Sequence, residues 1–362
     1  MMKNRAVRQW SWQLRNKRSA SIHVLVAATV FLVACRKDKP EDPTTPPVQM
    51  GQEGGVYITN EGNFQWGNAT VSYYDNASGA VSEDLYQPAN GTALGDVCQS
   101  MAIYNGKGYL VLNNSDKVVV VDPNTFLQQA EITGFTSPRY LLPVSNAKAY
   151  VTDISSDAIA IVDLTTNTIS GSIPCSGATE ELLLAYGKAF VTNTSSPYLF
   201  VIDSATDAIT DSINVGRGAN SIVQDVNGKL WVLCSGYMGQ GISPTLQRVD
   251  PVSLEVEATF TFPNTSDSPW RLCISGDHDQ LYYLNDDVFR MHIADAALPS
   301  TPFIAAAGRN FYSLGVDPES DVVHVADAVD YVQRGVVYRY AASGTEINQF
   351  HAGIIPGGFF FR

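Results

Sequence analysis

The chain has 362 residues, of which 45% are hydrophobic and 16% charged, so it holds enough apolar material to bury one large core. Its formal net charge of −13 excludes non-specific nucleic-acid binding, which needs a basic surface. Five histidines and five cysteines are present without Cys-x-x-Cys or Gly-x-Ser-x-Gly, which leaves zinc, dithiol and α/β-hydrolase chemistry without a motif.

At the N-terminus, Lys3, Arg5, Arg8, Arg15, Lys17 and Arg18 precede an apolar stretch, Ile22–Ala34, and no acidic residue occurs before Asp38. This is the pattern of a secretory signal, and the stretch is shorter than the roughly 20 residues of a spanning helix. It ends in Leu32-Val33-Ala34-Cys35, which is similar to the bacterial lipobox. The similarity implies cleavage before Cys35 and diacylglycerol on its thiol. Residues 1–34 are thus expected to be a lipoprotein signal peptide. Loss of their six basic residues takes the formal charge from −13 to −19. Residues 35–54, rich in Pro and charge, read as the lipidated Cys and a semi-extended tether. Charges directly after a lipidated Cys partly resemble the signals that send lipoproteins to the cell surface. The expected location is the outer membrane, lipid-anchored and surface-facing.

From Tyr57 to Tyr340 one pattern recurs: a small turn, a run such as Y-V-T-N or Y-V-T-D, a polar turn, a run such as I-A-I-V-D, then T-x-T-I. Residues 106–125, 146–166 and 186–206 are the clearest copies. Alignment on the Asp ending the second run gives Asp75, Asp122, Asp163, Asp203, Asp250 and Asp295, with Ala341 in the seventh place. The steps are 47, 41, 40, 47, 45 and 46 residues. Short β-rich runs at this period predict an all-β fold, a β-propeller. Each unit reads as four strands. In the third they are Arg139–Pro143, Ala149–Thr152, Ile159–Asp163 and Thr168–Ile173, innermost to outermost. Seven units predict a seven-bladed β-propeller over residues 55–362, with six or eight as competing counts because the last three units are degenerate.

The first unit begins with its second strand, Val56–Asn60, and the missing innermost strand is expected from the C-terminal run 353–362. That strand would join the first blade and remove the open edges of an unclosed array. Cys98, Cys175, Cys234 and Cys273 read as buried free thiols, although only Cys234 and Cys273 fall on neighbouring blades where a disulfide is conceivable. The Asp series ending third strands reads as turn-capping, and Lys107, Lys148, Lys188 and Lys229 as solvated surface. His292 and His324 lie on apolar strands and read as structural; no metal site and no catalytic residue is expected.

The two faces of the disc differ. The face carrying the second-to-third and blade-to-blade loops receives the scarce arginines and three long loops, 60–68, 235–244 and 327–335. Phe64, Trp66, Tyr86, Gln99, Arg139, Arg217, Asn220, Tyr237, Trp270, Arg271, Tyr312 and Tyr331 are the expected ligand-binding residues. Aromatics beside planar donors on loops of a rigid scaffold suit a large, flat, hydrogen-bond-rich ligand. Phe135 and Phe311 fit better as packing between blades. The inner strands are expected to begin at Gln99, Arg139, Glu181, Asn220, Trp270 and Tyr312, a ring with one carboxylate and so a poor metal site.

The Y-V-T-N and Y-V-T-D runs resemble the YVTN/YncE group of bacterial propellers. The opening YITNEGNFQWGNATVSYYD (57–75), the closing AGIIPGGFFF (352–361) and the lipobox together resemble the BtuG-type surface lipoproteins. That resemblance implies a binding protein with no cofactor of its own, which captures a corrinoid (cobalamin) and passes it to a TonB-dependent outer-membrane transporter. The alternative readings are an envelope scaffold for protein or glycan, and a lactonase- or lyase-like propeller enzyme.

Overall fold

Side chains alternate between the two faces of a strand, so a run that is apolar at every position must be covered on both sides. Lys107–Leu112 shows the result: Tyr109 and Val111 face one neighbouring sheet, while Leu110 and Leu112 face the other. The computed structural model describes residues 54–362, and over them such runs build seven small antiparallel sheets. The core is correspondingly divided into seven layers, one between each pair of adjacent sheets. Each fully buried Val, Leu or Ile in these layers contributes about 1.5–3 kcal/mol.

The sheets are the blades of a seven-bladed β-propeller. Each innermost strand touches the innermost strand of the next blade, and the ring closes because Pro356–Phe361 lies between Phe311–Val316 and Cys98–Tyr104. Pro356–Phe361 pairs antiparallel with Gly55–Asn60, with Tyr57 opposite Phe360, and completes the first blade as its innermost strand. The expected closure by the C-terminal strand is therefore what the fold uses. The third blade has strands Pro138–Ser145, Lys148–Asp153, Ala158–Asp163 and Thr168–Pro174, each containing the predicted run. Blade 6 departs from four strands: its sheet has three, and the fourth survives as a single bridge between Val288 and Ile304.

The repeat has a local cause at each of its polar positions. The residue that ends the second strand ties two loops together. In blade 3, Asp153 accepts the amides of Thr136 at 2.9 Å and Ser137 at 2.8 Å from the incoming blade-to-blade loop. It also accepts those of Ser155 at 2.8 Å and Ser156 at 3.0 Å in its own turn. The Asp ending the third strand caps the opposite turns; Asp163, for example, accepts from the amides of Thr165 and Thr166. The Thr165 hydroxyl, with these amides, holds Asp163 below the usual carboxylate range, and the amides of Ala205 and Thr206 do the same for Asp203.

Two expectations for this region need correction. Lys107 and Lys148 are not only solvated: each reaches the following blade, Lys107 to the Leu164 carbonyl and Lys148 to the Ser204 carbonyl and Asp207. Tyr86 is not on the loop face. The outer strand of blade 1 is only Val81–Ser82, and a short helix, Tyr86–Asn90, fills the space it leaves. Tyr86 is buried there with Tyr57 and Phe126, and its hydroxyl donates to Gln128, which begins an outer strand at the opposite face. Cys98, Cys175, Cys234 and Cys273 are free thiols, pushed up in pKa by burial. Cys35 and the signal lie outside the described residues. Among the described residues, no helix is long and apolar enough to cross a membrane.

Candidate functional site

In every blade the pairing of innermost with second strand slips at the loop-face end, leaving extra residues in the innermost strand. Such bulges re-aim side chains, and here they aim them at the central channel. The displaced residues are Gln99, Arg139 with Tyr140, Glu180 with Glu181, Asn220, Arg271 with Leu272, Tyr312 and Gly357. Hydroxyls on the strands brace the bulges: Thr152 donates to the Glu180 carbonyl at 2.6 Å, Ser100 to that of Arg139 at 2.6 Å and Ser313 to that of Pro356 at 2.8 Å. Arg271 holds a positive φ of 58°, a conformation that non-glycine residues seldom adopt and that gathers at functional sites.

The aimed side chains form one chain of hydrogen bonds and an ion pair across the channel mouth, its two halves joined where the Gln99 amide stands 3.5 Å from the Tyr140 hydroxyl. Arg139 donates to Glu180 at 2.8 Å and to the Gln99 carbonyl oxygen. From the far side of the ring, Arg271 donates to the Tyr140 hydroxyl at 3.0 Å and pairs with Glu61 at 3.8 Å. The Tyr312 hydroxyl donates to the other Glu61 oxygen at 2.9 Å. Burial pushes the Glu61 and Tyr312 pKa values up, and the nearby Arg271 guanidinium opposes both shifts. Glu181 accepts only the Ile222 amide, at 3.0 Å, and burial lifts it to about 7. An aromatic row borders the chain: the Arg271 guanidinium lies 5.1 Å from the Trp270 ring, Trp270 meets Tyr312 edge-on at 5.1 Å, and Tyr312 meets Tyr331 edge-on at 5.8 Å.

The structure brings together Gln99, Arg139, Trp270, Arg271, Tyr312 and Tyr331 from the predicted set. Asn220 reaches the mouth but spends its amide on the carbonyls of Pro269 and Gly218. Arg217 stands at the rim between blades 4 and 5 and donates to the Ser195 carbonyl. Phe64 and Trp66 sit on the long loop of blade 1 and Tyr237 on that of blade 5, with Trp66 77% exposed. Glu61, Tyr140 and Glu180 are the residues that sequence reasoning missed. The expected single carboxylate is corrected to three, because Glu61 enters from a loop and a wide bulge displaces Glu180 as well as Glu181. In blade 6 the displaced residue is Arg271, and Trp270 stacks beside it. Among the described residues no group of His, Cys, Asp and Glu is arranged to hold a metal ion.

Two solved structures share the architecture. One, a quinonprotein alcohol dehydrogenase-like protein from Bacteroides thetaiotaomicron, superposes with a TM-score of 0.67 at 17% identity, over 85% of this chain and 78% of that one. The hydrazine synthase of Kuenenia stuttgartiensis gives 0.51 at 14% identity, over 65% and 73%. At these identities the likeness concerns the fold alone. No curated protein sequence matches significantly. The sequence over residues 54–361 matches the family described as a domain of unknown function, DUF5074, and with that span covering the whole propeller, the chain belongs to the DUF5074 family.

Proposed function

We propose that this propeller is a lipid-anchored outer-membrane protein that captures a corrinoid on its loop face and hands it to a TonB-dependent transporter. The observation that carries the reading is the gathering of aromatics around an arginine-bearing channel mouth: Trp66, Tyr198 and Tyr237, with Met238, are exposed at the loop face, and Trp270, Arg271 and Tyr312 border the channel. A corrin offers a broad apolar rim, amide arms and a phosphate-linked nucleotide, and these call for aromatic walls, amide-reading groups and arginine. The resemblance of residues 57–75 and 352–361 to BtuG-type lipoproteins supports the same ligand. No chemical step belongs to the proposal.

The site assignment is tested by comparing cyanocobalamin affinity of Trp66→Ala and Tyr237→Ala with that of Tyr186→Ala, an exposed tyrosine on the opposite face. Loss confined to the first two supports the loop face. A second reading, docking of a protein at the same face, is favoured by the exposure of Trp66 at 77% and Val332 at 67%. Capture of a transporter without any corrinoid affinity would select it.

A further inference from the structure

Among the mouth residues lies a cavity of about 170 Å³ lined by Thr59, Gln99, Tyr140, Glu181 and Arg271, with Met101, Leu314 and Phe360 as apolar wall. Two glycines keep it open. A Cβ on Gly357 would lie 2.6 Å from a Glu61 oxygen, and one on Gly358 would lie 3.0 Å from the Thr59 hydroxyl.

The polar groups facing this cavity are incompletely used. The Thr59 hydroxyl, on a residue 2% exposed, has no hydrogen-bond partner, whereas the threonines at the same place in the repeat, Thr152 and Thr192, donate to the Glu180 and Glu181 carbonyls. Arg271 Nε also has no partner. Leaving a buried donor unmade costs about 1–3 kcal/mol, so two in one cavity point to a guest that accepts from both. Glu181 engages one oxygen, leaving the other as an acceptor. Of the charged groups around the cavity, Arg139 pairs with Glu180 and Arg271 with Glu61, and Glu181 has no ion pair. An anion would meet carboxylates and a cation would meet guanidinium groups. What fits is a small neutral group with one strong acceptor and an N–H donor.

We propose that the channel cavity is a binding pocket for a primary carboxamide, whose oxygen accepts from Thr59 and Arg271 and whose NH2 donates to Glu181. As a statement about a ligand's amide arm this rests on the binding reading above; as a statement about the pocket it is tested on its own.

The probes are acetamide, acetate and methylammonium, titrated into the whole chain in detergent and followed by saturation-transfer NMR. Acetamide is expected to bind saturably and the two ions roughly tenfold more weakly, while Thr59→Val weakens acetamide roughly fivefold or more. Gly358→Ala, which places a methyl group beside the Thr59 hydroxyl, is expected to do the same and decides the matter if Thr59→Val fails to fold. Absence of saturable acetamide binding, equal binding of all three probes, or binding indifferent to both substitutions would overturn the pocket. Acetamide binding without cyanocobalamin binding would keep the pocket and remove the corrinoid. Cyanocobalamin binding indifferent to both substitutions would keep the corrinoid and remove its amide arm from the channel.

Discussion

Gly357 and Glu61 occupy one place between them: the closing strand lacks a side chain where the carboxylate from the first blade's loop enters the channel, and a Cβ there would come within 2.6 Å of a Glu61 oxygen. Glu61 in turn receives the Tyr312 hydroxyl and faces Arg271, so the glycine positions the far half of the mouth. Gly357→Ala should displace Glu61, cost about 1–3 kcal/mol of stability and weaken ligand binding. Thermal unfolding unchanged from wild type would show that Glu61 yields without consequence.

Glu181 should make the folded state prefer acid over part of the pH range. Burial raises it from 4.5 to about 7, so the folded chain keeps a proton that the unfolded chain releases. This contribution is complete below pH 4.5 and lost as the pH rises through 7, by on the order of 3 kcal/mol. Urea unfolding of wild type against Glu181→Gln at pH 5 and 8 measures it. The stability difference should shift towards the variant at pH 8; a difference independent of pH would refute the assignment.

His324 acts in the opposite sense. Its Nε2 accepts from Arg339 Nε at 3.1 Å and its Nδ1 donates to the Val322 carbonyl at 3.1 Å, so the buried ring is neutral. Burial, with the Arg339 charge beside it, lowers the pKa from 6.5 to about 3. Its stabilisation is complete above pH 6.5 and is lost as the pH falls towards 3, by on the order of 5 kcal/mol. Because the Glu181 window overlaps, the effect is read against His324→Gln. The variant should lose less stability than wild type between pH 7 and 4.5, and equal losses would count against the buried neutral ring.

Removal of the closing strand should abolish the fold. Without Pro356–Phe361, Gly55–Asn60 becomes an open edge, and Phe359 and Phe361 leave the layer between blades 7 and 1. A chain ending at Ile354 is expected to aggregate on size exclusion and to lose its cooperative melt. A monomer melting like wild type would show that the ring holds without its seventh innermost strand.

The fold was legible in the sequence because blade period, Y-V-T-N runs and turn-capping Asp residues repeat, and repetition separates signal from accident. The site was only partly legible. Gln99, Arg139 and Tyr312 follow from their place at the head of an inner strand. The bulges, however, displace two residues in some blades and one in others, which brings in Tyr140 and Glu180 and substitutes Arg271 for Trp270. Glu61 left no repeat signal, since the residues at the same place after the second strand in other blades, such as Ile154 and Thr194, carry no carboxylate. Tyr86 misled because its segment looks like a blade-to-blade loop, and only the shortness of Val81–Ser82 turns it inward.

Corrinoid capture is decided by calorimetric titration of residues 47–362 with cyanocobalamin at physiological salt. Saturable one-to-one binding is expected, with affinity reduced roughly tenfold or more by Arg139→Ala or Trp270→Ala. No heat and no change in the corrinoid spectrum at saturating protein would contradict it and direct the search to proteins, glycans or other nutrients.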